Sequence, residues 1–144
     1  MLGDMTFWTE DKVWRGILSD LGATFGGAET ADLIFVPEKY SGKLSPSELK
    51  SRMTADIDES RARAVRAACG RDAAVSPAQA KIVALLHRAG GNGMSVDALR
   101  AAHGYSSGTT THALDTAVYN LRKTFGADFI RTENGKYFIR GHVI

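Results

Sequence analysis

Five side chains in the segment HALDTAVYNLRK have types and spacing that could do chemistry: His112, Thr116, Tyr119, Asn120 and Lys123. A helix would carry them away from an apolar stripe of Leu114, Val118, Leu121 and Phe125, which recur at i, i+4, i+7 and i+11. Asn can pair bidentately with adenine, and Lys or His can reach the acceptors of guanine. These five are the expected DNA-base contacts. Thr109, Thr110, Thr111, Arg122, Arg131, Lys136 and Arg140 surround them in sequence. Their hydroxyls and charges suit phosphate and sugar, contacts that position a duplex without specifying its sequence. The competing reading is an ordinary solvated helix surface.

Other reactive residues do not assemble into a site. His87, His103, His112 and His142 are dispersed without metal-ligand spacing, so no metal is expected. Cys69 has no neighbouring histidine and reads as a small hydrophobe in a helix. GATFGG lacks the lysine and the spacing of a phosphate loop, and Ser106 and Ser107 lack a glycine elbow. Neither an enzyme nor a cofactor is expected.

The elements that must position the polar face are legible nearby. Asn134-Gly135 predicts a two-residue hairpin turn, because both positions need positive φ. Centring the turn there pairs Glu133 with Lys136, Thr132 with Tyr137, Arg131 with Phe138 and Ile130 with Ile139. Alternation puts Ile130, Thr132, Tyr137 and Ile139 on a core face. Arg131, Glu133, Lys136, Phe138 and Arg140 lie on the other. Upstream, Ser76, Pro77 and Gln79 form a capping box for a helix with Ile82, Leu85, Leu86 and Ala89 inward. A shorter helix capped by Ser95 follows, with Val96, Leu99 and Ala102 inward. YSSGTTTH reads as a polar turn before the helix from about Thr111 to Phe125.

The first half reads differently. Met5–Trp8 is an expected strand, TEDKVWRGILSDLG an expected helix, and Ala31–Pro37 an expected buried strand. Ser45, Pro46 and Glu48 cap a helix that Gly70 would stop, ~24 residues and ~36 Å long. Its stripe of Leu49, Met53 and Ile57, continued by Val65, Ala68 and Cys69, suits either its own domain or a dimer partner. The Arg61, Arg63, Arg66 cluster reads as a solvated face.

Composition sets the outer bounds. The chain has 144 residues, enough for one domain or a small domain with an appendage. Residues 1–72 hold 10 Lys/Arg against 12 Asp/Glu, a net of −2. Residues 73–144 hold 8 against 4, a net of +4, so the second half is the better candidate for a polyanion partner. No apolar run approaches the ~20 residues of a membrane span, and no membrane association is expected. Acidic Asp4, Glu10 and Asp11 do not suit a signal peptide. With a single cysteine, a reducing cytoplasm is the expected compartment.

The expected fold class is α+β. A C-terminal winged helix-turn-helix, three helices plus a hairpin wing, occupies residues 73–144. A small α/β module with a long helix, for assembly or partner binding, occupies 1–72. Residues 75–140 resemble the effector domain of OmpR/PhoB-type response regulators. The matching pieces are VSPAQAKIVALL, MSVDALRAAHGY, ALDTAVYNLRKTF and FIRTENGKYFI. Asp115, Val118, Leu121, Arg122, Lys123, Ile130, Arg131, Thr132, Gly135 and Tyr137 stand at the positions of the family pattern. Asn120 stands where the family often has an arginine used on DNA. The wing is about one residue shorter and the loop before the recognition helix is compact, which implies a different DNA site.

The N-terminal part is only faintly receiver-like. ADLIFVPEKY falls where the phosphoacceptor strand would be, but Val36, Pro37 and Glu38 follow with no aspartate. A degenerate remnant or an unrelated cap is expected there, without phosphoryl transfer. The resemblance implies a sequence-specific transcriptional regulator binding double-stranded DNA, expected as a homodimer. The alternative is a protein-interaction module without DNA binding. In it the winged helix or the acidic half binds another regulator or RNA polymerase.

Overall fold

The computed structural model describes residues 2, 5–40, 42, 44–70, 73–107 and 112–140; the side chains of 103–107, 112 and 113 lie outside that description. The fold is mixed α+β, and the chain forms two units, Met1–Glu59 and Ser60–Ile144.

In the first unit, strand β1 (Thr6–Trp8) leads into helix α1 (Lys12–Asp20). Asp11 caps α1, its carboxylate accepting from the amides of Val13 at 2.9 Å and Trp14 at 3.1 Å. Such a cap satisfies amides that would otherwise lack an intrahelical partner. Strands β2 (Thr24–Phe25) and β3 (Leu33–Ile34) flank β1 in a parallel sheet of order β2-β1-β3. Thr6 and Asp32 add reciprocal bonds: Thr6 N donates to Asp32 Oδ2 at 3.0 Å, and Asp32 N to Thr6 Oγ1 at 2.9 Å. The expected strand from Ala31 is shorter than its apolar run, because the chain turns into a 3₁₀ segment at Pro37–Tyr40.

Helix α2 (Pro46–Cys69) starts at the capping box expected from sequence. Glu48 N donates to Ser45 Oγ at 3.2 Å and Ser45 N to Glu48 Oε1 at 3.4 Å. Its residues Leu49, Met53 and Ile57 belong to the first core, with Leu2, Phe7, Leu18, Leu33, Phe35 and Tyr40. Phe35 stacks on Tyr40 with ring centroids 4.9 Å apart. The Tyr40 hydroxyl donates to Asp56 Oδ2. Burial first, then the hydrogen bond and charge of Asp56, raise the Tyr40 pKa well above its ordinary value, with Arg52 opposing. The phenol therefore stays a neutral donor.

The later residues of α2, Ala64, Val65 and Ala68, belong to the second core. The helix thus supplies apolar side chains to both cores, and the first unit ends within it, at Glu59. Leu49, Met53, Ile57, Val65 and Ala68 of the stripe weighed as a dimer seam are buried within the chain, and Cys69 is half-buried.

In the second unit, α3 (Pro77–Ala89) has the Ser76 capping box, with Gln79 N donating to Ser76 Oγ at 3.1 Å and Ser76 N to Gln79 Oε1 at 3.0 Å. A short 3₁₀ segment leads to strand β4 (Met94–Ser95), which the sequence did not predict. Helix α4 (Val96–Ser107) follows, with Ser95 Oγ accepting from Ala98 N at 3.1 Å. It runs through residues expected as a turn, to Ser107. Helix α5 (His112–Phe125) precedes strands β5 (Ile130–Glu133) and β6 (Lys136–Ile139).

Antiparallel pairing gives the order β4-β6-β5. The hairpin register is the expected one, from Glu133↔Lys136 to Ile130↔Ile139. Asn134 and Gly135 both have positive φ, 53° and 76°, as a type I′ turn demands. Ile82, Leu86, Leu99, Leu114, Leu121, Phe129 and Ile130 are fully buried between the three helices and the sheet.

Candidate nucleic-acid interface

The polar face of α5 depends on how its other face is used. Leu114, Ala117, Val118 and Leu121 are buried, and Phe125 packs at the core edge against Phe129 with centroids 4.8 Å apart. Ala117 was not in the stripe read from sequence; it widens the buried face on one flank. This burial fixes the rotation of the helix. Thr116, Tyr119, Asn120 and Lys123 are consequently exposed together. Tyr119 is the most conspicuous, 63% exposed despite its apolar ring. Thr109, Thr110 and Thr111 lie outside the described residues, as does the side chain of His112, which opens the helix.

Arg122 occupies the flank between the two faces and turns toward the hairpin. Its Nε donates to the carbonyl oxygen of Ile130 at 2.8 Å, and its Nη2 donates to Thr132 Oγ1 at 2.7 Å. The sequence cast Arg122 as a backbone contact for DNA; in the fold it ties α5 to β5.

The hairpin presents the cations expected of it, with neighbours that temper them. Arg131 and Lys136 are exposed. Arg131 Nε lies 3.3 Å from Glu133 Oε2, and its Cζ sits 5.0 Å from the ring centroid of Phe138, its cross-strand partner. Arg140 Nη1 lies 3.3 Å from Asp128 Oδ1, with its guanidinium over Phe129. Lys136 and Lys123 make no ion pair among the described residues. On α5, Asp115 is exposed and 4.0 Å from Arg100. Thr132, expected on the core face, is exposed near the turn and serves Arg122 instead.

Two supporting features escaped the sequence reading. Gly93 has φ +66°, and a Cβ there would come 2.6 Å from Phe138 and 2.8 Å from the carbonyl oxygen of Tyr137. The glycine lets the chain entering β4 lie against β6. Lys81, a buried residue of α3, donates from Nζ to the carbonyl oxygen of Ala102 at 3.0 Å, joining α3 to α4. A lysine directly before Ile82 and Val83 was the available signal.

Among the described residues, no group of three or more His, Cys, Asp or Glu is placed to hold a metal ion. No described helix is long and apolar enough to cross a membrane. No protein-family model, curated protein or solved structure matches this chain.

Proposed function

We propose that residues 75–140 are a winged-helix domain of the OmpR/PhoB type and that the protein is a sequence-specific, DNA-binding transcriptional regulator. The observation carrying this reading is the exposed Thr116, Tyr119, Asn120, Lys123 face of α5 beside a hairpin that Arg122 bonds to the same helix. Two further facts support it: the order α3, β4, α4, α5, β5, β6, and the sheet order β4-β6-β5. A helix fits the major groove, about 12 Å wide, and a hairpin beside it can reach the neighbouring backbone or minor groove. Thr116, Asn120 and Lys123 supply base-edge donors and acceptors; Lys136 and Arg131 supply charge to phosphates.

A mobility-shift assay of the pure protein on genomic fragments at two salt concentrations tests the reading. Binding through several phosphates weakens steeply with salt, log K falling by about 0.9 per phosphate for each decade of salt. Absence of any shifted fragment at low salt overturns it.

A second reading is favoured by Tyr119 and by the ion-paired wing cations. An exposed tyrosine at the centre of a helix face suits a protein interface. The ion pairs of Arg131 with Glu133 and Arg140 with Asp128 reduce the charge offered to a polyanion. In that reading the same face binds another regulator or RNA polymerase, and salt affects it little.

A further inference from the structure

Helix α1 has an outer face that its own unit does not cover. Val13 is 72% exposed and Ile17 40% exposed, one turn apart. Gly16 lies between them, and a Cβ built on it meets nothing within 4 Å. With Leu18 buried on the opposite side, Val13, Gly16, Ile17 and Asp20 share an arc of about 100°, with Lys12 at its edge. Lys12 and Asp20 are exposed. Arg15 points elsewhere, its guanidinium 4.4 Å from the ring centroid of Phe25, and Asp11 is committed to capping the helix.

The placement of the two end charges selects the partner. Lys12 lies four residues before Gly16 and Asp20 four residues after it, about 6 Å along the axis on either side. A two-fold axis at Gly16, with a second α1 running antiparallel, brings each Lys12 level along the axis with the other copy's Asp20, within reach of the long lysine side chain. A parallel pair would instead set Lys12 against Lys12 and Asp20 against Asp20. The bare glycine lets the backbones approach closely at the crossing. Ile17 and Asp20 also border a recess of about 260 Å³ whose other lining residues include Trp14, Leu21, Tyr40, Leu44 and Leu49. The exposed apolar surface thus continues beyond the helix.

We propose that this face of α1 binds a second copy of the chain, antiparallel and centred on Gly16. A self-complementary patch is what a two-fold dimer requires. Since the stripe of α2 is buried within the chain, α1 is, among the described helices of the first unit, the one with an apolar face left to a partner.

The test is sedimentation velocity of the full chain over a wide concentration range at low salt. The parent protein should show reversible dimers. Lys12→Glu and Asp20→Lys should each raise the dimer dissociation constant by about tenfold, since each breaks two pairs and opposes like charges. Mixing the two variants should restore dimers. The reversed charge at position 12 of one variant then meets the reversed charge at position 20 of the other, and the second contact is the parental pair of Lys12 with Asp20. Both substitutions are exposed, and circular dichroism should match the parent. A parent that stays monomeric overturns the proposal. So does a dimer indifferent to both variants, or one lost in each without rescue on mixing. None of these outcomes depends on DNA binding.

Discussion

Arg122 and Thr132, ten residues apart, are joined by an Nη2–Oγ1 hydrogen bond of 2.7 Å, and the same guanidinium donates to the Ile130 carbonyl oxygen at 2.8 Å. One side chain thereby links the outward helix of the second unit to the outer strand of its hairpin. Hydrogen bonds to charged groups contribute about 1.5–3 kcal/mol when well shielded. Arg122 is half-buried, so about 1–2 kcal/mol is expected for the pair of bonds. Arg122→Met keeps the apolar stem and removes both donors. Urea unfolding should show that loss. Arg122→Lys should recover only part of it, because an ammonium lacks the planar fork that serves two acceptors at once. A Met variant as stable as the parent would remove the tie from the account.

Gly93 carries a second structural expectation. Its φ of +66° and ψ of −174° belong to backbone space that glycine alone enters readily. An added Cβ would also strike Phe138 and the Tyr137 carbonyl. Gly93→Ala should destabilise the protein by about 2 kcal/mol or more and loosen β4 from β6. Gly91→Ala is the control, since a Cβ there meets nothing within 4 Å and its φ is not in the left-handed region. It should be neutral or stabilising by up to about 1 kcal/mol. Comparable losses in both variants would show that the Gly93 geometry does not set the effect.

These residues also show where the sequence was informative. The hairpin register followed from Asn134-Gly135, because the turn type and the period-two alternation are both local. The capping boxes at Ser45 and Ser76 were equally local. Strand β4 was not legible: Met94–Ser95 is too short to show a period, and its pairing depends on β6, some forty residues later. Arg122 resembled a phosphate ligand because its hydrogen-bond acceptors are set by the tertiary placement of β5. The stripe of α2 was visible as a helix face, but periodicity does not say which surface covers it. The outward face of α5 was readable because one run of apolar residues fixes the helix rotation.

The hairpin cations should not be equal. Lys136 makes no ion pair among the described residues, whereas Arg131 would have to loosen its contact with Glu133 to meet a phosphate. Lys136→Ala should weaken DNA binding uniformly across sequences and flatten the salt slope by ~1. Arg131→Ala should act in the same direction but less. Glu133→Gln should strengthen binding by freeing Arg131. Filter-binding titrations at several salt concentrations measure all three. Unchanged affinity in both alanine variants would take the basic side of the hairpin out of the interface.

Asn120 should read a base. Burial of Leu114, Ala117, Val118 and Leu121 leaves it exposed one turn after Thr116 and one turn before Lys123. Asn is a poor helix former, and Ala in its place should stabilise the helix by roughly 0.5 kcal/mol. A change in binding by Asn120→Ala therefore cannot come from unfolding. The amide offers a donor and an acceptor together, matching adenine's major-groove edge, and such a pair discriminates by about 1–3 kcal/mol. The variant should relax base preference at one position of the selected site. Non-specific binding should stay nearly constant, because no phosphate contact is removed. Selection from randomised duplexes, run in parallel on both proteins, reads this directly. If both return the same preference at every position, Asn120 reads no base and α5 does not lie in the groove with this face inward. Tyr119→Ala then becomes the deciding variant: loss of a protein partner with DNA binding intact would assign the face to protein recognition.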